Sequence, residues 1–147
     1  MLMRPYCRRP ALGSNLSWRP VRIDPVARVV VDLGDAAQAR PIADAFRRHG
    51  WEVHVASCPL DVRQMVRDVR PLASVLAASP ANRESGWLTC KKLVLERPTL
   101  KVVLVHANPT ARDHRLAEFV GAAACVPIAT PSAAVKAATG FELPSAN

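Results

Sequence analysis

Two residues with acid–base or ligand chemistry, Asp32 and His106, each close a β-branched run: Arg28-Val29-Val30-Val31 leads into Asp32, and Leu100 to Val105 leads into His106. A carboxylate and an imidazole at the carboxyl ends of strands could act as an acid–base pair or hold a ligand. Imidazole titrates near neutrality, and a positioned side chain at that edge can move a proton. The commoner fate of such a histidine is to cap its strand or pair with the carboxylate without any chemistry. His54 falls in an alternating stretch and fits an exposed strand position, while His49 and His114 fit helix ends or surface positions.

The four cysteines, Cys7, Cys58, Cys90 and Cys125, are widely spaced and form no C-x-x-C pair. That spacing argues against a zinc knuckle or a dithiol redox motif. Cys58, Cys90 and Cys125 lie in or beside apolar stretches and fit buried small hydrophobes; a reducing cytoplasm is the expected setting. No His/Cys/Asp spacing demands a metal. G-x-G-x-x-G, G-x-x-x-x-G-K-[ST] and G-x-S-x-G are all absent, so nucleotide and acyl-transfer chemistry lack a motif. The expectation is a chain without cofactor or metal, and not an enzyme.

Charge is the other chemical signal. The 147 residues carry a formal +8. Half of that excess lies in residues 1–26, where Arg4, Arg8, Arg9, Arg19 and Arg22 face one acid, Asp24. Residues 1–26 hold four prolines and no periodicity, and are expected to form a disordered basic arm. A solvated tail, an interaction arm, upstream sequence from an early start codon and a targeting peptide all fit it. No apolar run approaches the ~18–20 residues of a membrane helix, and no secretory signal is visible. Further on, Arg63, Arg67 and Arg70 recur at i, i+4, i+7 as a basic stripe, and Arg47-Arg48 and Lys91-Lys92 add local charge. A solvated helix face is the ordinary explanation; docking of an acidic protein or a nucleic acid is the sharper one. The aromatic residues that stack single-stranded bases are lacking.

The elements that must position these residues follow from hydrophobic periodicity. Arg28–Val31 is a continuous apolar run, expected of a strand covered on both faces. Ile42 and Phe46 belong to a helix closed by Gly50, a favoured residue past a C-cap. Pro41 cannot lie deep in a helix, so this one is expected to start near Gln38–Arg40, with Asp32–Ala37 as a loop. Trp51–Val55 alternates as an edge strand would. Pro59 suits a first helical position, and Val62, Met65, Val66 and Val69 follow at i, i+3, i+4, i+7, up to Pro71. Leu72–Ala78 is a strand, and Ser79–Asn82 a turn. Trp87–Glu96 is a helix expected to face the sheet with Leu88, Leu95 and the Lys91 stem. Leu100–His106 is a strand. Leu116, Phe119 and Val120 mark a helix ending at Gly121, Ala123–Ile128 a fifth strand and Pro131–Thr139 a last helix.

Five β-α units with short links require right-handed crossovers and a parallel sheet covered on both faces. The expected architecture is a flavodoxin-like three-layer α/β sandwich over residues 27–139, with strand order 2-1-3-4-5 and a tail at 140–147.

Several local signatures within this frame are similar to the response-regulator receiver (CheY-like) domain: Arg47–Ala56 (RRHGWEVHVA), Glu84–Ala107 (ESGWLTCKKLVLERPTLKVVLVHA) and Gly121-Ala122-Ala123 before the fifth strand. The resemblance implies four chemical positions. The acidic pair that would hold magnesium, a hard cation preferring carboxylate oxygens, corresponds to Asp32-Leu33, with Asp35 two residues on. The phosphate-accepting aspartate at the end of the third strand corresponds to Ala77, or to Leu76 if the match is made back from Pro80. The hydroxyl ending the fourth strand corresponds to His106, the lysine of the fifth strand to Ile128, and its switch aromatic to Cys125. The resemblance therefore implies a pseudo-receiver of bacterial two-component or phosphorelay type, acting by protein–protein contact without aspartyl phosphorylation. Its output face implies Arg112, Arg115, Phe119 and Lys136 as contact residues, and a homodimer is a further possibility. Two alternatives stay open: a nucleic-acid-associated protein using the Arg-rich arm, and a small ligand-binding or enzyme domain centred on Asp32 and His106.

Overall fold

The computed structural model describes residues 26–56, 59–80 and 84–140. The expected arm, the tail after Gly140, Cys7, Cys58 and the turn residues 81–83 lie outside the described residues. Ten elements alternate along the chain: β1 (Arg28–Asp32), α1 (Ala36–Arg48), β2 (Glu52–Val55), α2 (Pro59–Val69), β3 (Ala73–Ala77), α3 (Gly86–Glu96), β4 (Lys101–His106), α4 (Ala111–Val120), β5 (Ala124–Pro127) and α5 (Pro131–Thr139). All strand pairings are parallel, in the order β2-β1-β3-β4-β5. The expected flavodoxin-like sandwich is the fold observed.

Successive strand residues point to opposite faces, and the core divides accordingly. Val29, Val31, Val75, Val103 and Val105 pack with Ile42 and Phe46 of α1 and Ala134, Val135 and Ala138 of α5. Val30, Leu76, Val102, Leu104 and Cys125 pack with Val62 and Val66 of α2, Cys90 and Leu93 of α3 and Ala117 and Val120 of α4. The buried hydroxyl of Ser74 donates to the Val30 carbonyl at 3.2 Å, which removes the cost of a polar group in this core. β2 is an edge strand, as its alternation suggested. At the other edge Pro127 ends β5, where a proline blocks addition of a further strand.

Three expectations need correction. α1 begins at Ala36, not near Gln38–Arg40, and Pro41 lies inside it. Asp35 caps the helix by accepting from the Ala37 N–H at 2.9 Å, and its carbonyl takes the Gln38 and Ala39 N–H groups. The acceptor that Pro41 leaves unused belongs to exposed Ala37, where water replaces it. Second, α3 turns Thr89, Cys90 and Leu93 inward, whereas Leu88, Leu95 and Lys91 face solvent. The inward face is built from small residues that a search for large apolar side chains passes over. Third, strand ends differ by a residue or so: β3 excludes Leu72 and Ala78, β4 excludes Leu100, and β5 spans only Ala124–Pro127. On α4, Ala117 and Val120 are buried and Phe119 is exposed. Among the described residues no helix is long and apolar enough to cross a membrane.

Candidate functional site at the carboxyl edge of the sheet

The crossovers bring the ends of β1, β3 and β4 and the start of α3 to one edge, where open α/β sheets bind ligands. Asp32 ends β1, opposite Leu76 in register, and is 4% exposed. It lines a small pocket with Leu76, Ala77, Pro80, Glu84, Gly86 and Thr89. A wider cleft of ≈ 330 Å³ lies beside it, bounded by Leu33, Gly34, Asp35, Gln38, Ala77, Ser79 and Pro80. β3 ends at Ala77, which makes Ala77, rather than Leu76, the residue at the strand terminus. Leu76 is buried in the core against α2, α3 and α4.

α3 closes this edge from above. Ser85 caps it, its hydroxyl accepting from the Leu88 N–H at 3.2 Å. The Gly86 N–H donates to the Ala78 carbonyl at 2.9 Å, so the helix starts against the strand end. A Cβ on Gly86 would stand 1.9 Å from the Ala77 carbonyl oxygen and 2.8 Å from its carbon, far inside any contact distance. Glycine is needed here for space.

Glu84, just before that helix, is held in place by its neighbours. Thr89 Oγ1 donates to one oxygen at 2.7 Å and Lys92 Nζ to the other at 3.0 Å. Burial pushes the Glu84 carboxyl up, but the hydrogen bonds from Thr89 and Lys92 and the lysine charge outweigh it, so its pKa lies below the ordinary value. Glu84, Ser85, Gly86 and Lys92 were not singled out from sequence. A serine followed by glycine ahead of an apolar run, with Thr89 and Lys92 one and two turns on, is the signal that could have found them.

His106 takes no part in this pocket. It ends β4, two strand spacings from β1, about 9–10 Å, and two residues beyond Leu104, which continues the row of Asp32 and Leu76. Its Nδ1 accepts from the Asn108 N–H at 3.1 Å, so it closes the turn into α4. The charged group it acts on is Asp113, whose pKa is lowered first by the Thr110 N–H, with His106 contributing less. Among the described residues no hydrogen bond joins His106 to Asp32, the centre that the sequence left open as an alternative. Leu33 packs into the α1/α5 core and Ile128 lies against the same cluster. Cys125 is buried, which pushes its thiol up to about 11, as burial pushes Cys90 to about 12.

These residues do not fit a magnesium ion. Asp32 has an apolar neighbour in Leu33, β3 supplies no carboxylate, and both Glu84 oxygens are taken by Thr89 and Lys92. Among the described residues no group of three or more His, Cys, Asp or Glu side chains could hold a metal.

The other candidates are scattered. Arg63 and Arg67 both clasp Glu96 at the end of α3, at 2.7 and 3.3 Å, and Arg70 lies beyond α2 in a left-handed conformation with φ 55°. The basic stripe is thus partly neutralised and broken at its third member. Arg112, Arg115 and Phe119 are exposed on α4, and Lys136 is exposed on α5. α4 and α5 pack on opposite faces of the sheet, so these four residues meet only around the β5 edge. Of the remaining histidines, His49 lies against the Ala45 carbonyl and His54 against Glu52.

The strand order and the alternating helices define a flavodoxin-like, CheY-like α/β fold. No family model and no curated protein sequence matches the chain. Among solved structures it is similar to the Vibrio cholerae chemotaxis protein CheY4, with TM-score 0.70 and 11% identity over 80% of this chain and 100% of that one. A two-component response regulator from Clostridium difficile aligns with TM-score 0.64 and 15% identity, covering 78% and 96%. The co-crystal structure of the Saccharomyces cerevisiae phosphotransfer protein Ypd1 with the receiver domain of its response regulator Ssk1 also matches, at TM-score 0.60 and 12% identity, covering 72% and 81%. At these identities the likeness is one of fold.

Proposed function

We propose that this chain is a degenerate receiver domain that serves signal transduction by contact with another protein, without forming an aspartyl phosphate and without enzymatic activity of its own. The observation that carries the proposal is the end of β3. Ala77 occupies it, facing the Asp32 pocket and the cleft beside it, so the strand end offers no acceptor carboxylate. Leu33, Ile128 and Cys125 support it, standing where the resemblance expects the second acid, the lysine and the switch aromatic. A protein partner is in keeping with the neighbouring fold of the Ssk1 receiver, which was crystallised with Ypd1.

The test is incubation of the full-length protein with acetyl phosphate and magnesium, followed by intact-mass measurement. The expected result is no phosphoryl adduct. A hydroxylamine-sensitive, acid- and alkali-labile adduct that maps to a carboxylate of this edge, such as Asp32, would overturn the proposal.

A further inference from the structure

α3 and α4 both run back from the carboxyl edge of the sheet and pack side by side, joined by the approach of Val94 to Gly121. Each carries a stripe spaced i, i+3, i+7 that faces solvent: Leu88, Lys91 and Leu95 on α3, and Arg112, Arg115 and Phe119 on α4. Residues at this spacing share a helix face. Leu88 is 49%, Leu95 69% and Phe119 75% exposed. The Lys91 ammonium lies 5.7 Å from the centre of the Phe119 ring, within cation–π range. The two stripes therefore form one surface, and Phe119 belongs to the α3 side of α4, not to the side nearest α5.

The charge on this surface is predominantly positive for a structural reason. Most acids around it are engaged inside the domain: Glu96 by Arg63 and Arg67, Glu84 by Thr89 and Lys92, and Asp113 by the capping box with Thr110. Among the described residues no ion pair involves Lys91, Arg112 or Arg115; the exposed Glu118 stands one turn from Arg115 and about 100° around α4 from Phe119. Three cations thus border three large apolar side chains along two helical turns, about 10 Å.

We infer that the outer face of α3 and α4 is a docking site for an acidic amphipathic helix of a partner protein. Its apolar side chains would cover Leu88, Leu95 and Phe119, and its carboxylates would meet Lys91, Arg112 and Arg115. Charge complementarity selects this occupant. A helix laid on a groove anchors through side chains at the i, i+3, i+4, i+7 spacing these stripes present. Large apolar groups exposed together inside a charged rim mark interaction surfaces. The inference rests on the protein-contact reading above and gives that contact a location and a partner chemistry.

The test titrates full-length, isotope-labelled protein with a synthetic helix of about 15 residues, long enough to hold a helical face, carrying Leu and Phe on one side and Glu on its flanks. A second peptide replaces every Glu with Lys. The expected result is binding of the acidic peptide alone, with amide shifts concentrated in α3 and α4. Affinity should fall about tenfold or more in the Leu95→Ser and Phe119→Ser variants, the scale of a hot-spot loss, and weaken as salt is raised. Both side chains are exposed, so circular dichroism of the variants should be unchanged. Equal binding of both peptides, shifts centred on α5 or β2, or no binding of the acidic peptide overturns the inference. So does a homodimer in sedimentation that dissociates in the same variants, or displacement of the peptide by single-stranded RNA. The phosphoryl-adduct measurement is independent of all these outcomes, so failure of one proposal is distinguishable from failure of the other.

Discussion

Replacing Gly86 by alanine isolates the contact that seals the carboxyl edge. By helix propensity alone the change should be favourable by up to about 1 kcal/mol, and Gly86 does not have the positive φ found at Gly34, Gly50, Gly121 and Gly140. Space decides the sign. The added methyl would stand 1.9 Å from the Ala77 oxygen, 2.8 Å from the Ala77 carbon and 3.0 Å from Ala78 Cα, all backbone atoms that no side-chain rotation can clear. The start of α3 must retreat by more than 1 Å, about the difference from an ordinary contact of ~3.5 Å. That movement stretches the hydrogen bond from the Gly86 N–H to the Ala78 carbonyl, worth about 0.5–1.5 kcal/mol. It also disturbs the packing of Cys90 and Leu93, in the range of about 1–3 kcal/mol for overpacking. Net of propensity, Gly86→Ala should destabilise the protein by about 0.5–3.5 kcal/mol, read as a lower urea midpoint at unchanged m-value. Gly50→Ala is the control: nothing lies within 4 Å, but φ is +85°, so its loss should be only about 1 kcal/mol. A Gly86→Ala protein as stable as wild type would refute the claim that α3 is packed onto the end of β3.

Leu93→Ala should cost about 2–5 kcal/mol, because Leu93 is fully buried, whereas Leu88→Ala and Leu95→Ala should fall within about 0.5 kcal/mol of wild type; chemical denaturation of the three variants checks the orientation of α3. Thr110→Ala removes the hydroxyl that accepts from the Asp113 N–H at 3.2 Å and should cost about 1 kcal/mol, measured as a fall in thermal midpoint. Glu84 has a lowered pKa in the folded protein, so its contribution is present above the unfolded carboxylate value of about 4.3 and is lost as pH falls through the folded value. Denaturation of wild type and Glu84→Gln should accordingly differ at neutral pH and converge in acid; a constant difference would contradict the linkage. Cys90 and Cys125, with thiols pushed up to about 12 and about 11 by burial, should resist iodoacetamide at neutral pH until the protein is unfolded, as peptide mass mapping would record.

Most of the fold was legible because β1 and β4 are continuous, Val-rich apolar runs. Val29–Val31 and Val102–Val105 have no competing period, and Gly50, Gly121 and Pro131 mark boundaries through backbone constraints that hold in any context. The failures have physical causes. Pro41 was taken as a barrier to a helix start at Ala36, but Asp35 and the two N–H groups on its carbonyl stabilise a first turn that forms before the proline is reached. On α3 the large residues Leu88 and Leu95 suggested the buried face, while the true interface takes Gly86, Thr89 and Cys90 beside Leu93, and at Gly86 no larger side chain fits. Helix periodicity locates an apolar stripe but does not say whether that stripe meets the sheet or a partner.

The site divides along the same line. Ala77 was identifiable as a strand-end position, with Leu76 as its alternative, because register follows from the hydrophobic pattern; Leu33 and Ile128 stand one residue beyond β1 and β5. Glu84 and Gly86 were not, since their roles depend on how far α3 descends onto the edge, a tertiary distance that no local pattern encodes. Asp32 and His106 were left open as an alternative centre. Both end strands, yet β3 separates them and His106 is taken by the turn into α4, so being at the same edge did not make them a pair. Gly86 and Ala77 show why side-chain pattern was not enough. The close approach of α3 at Gly86 is to the backbone carbonyl of Ala77, so it fixes how near the helix comes to the strand end whatever side chain stands at 77. The side chain at 77 faces the Asp32 pocket and the cleft beside it instead, where Asp32 is the neighbouring acid.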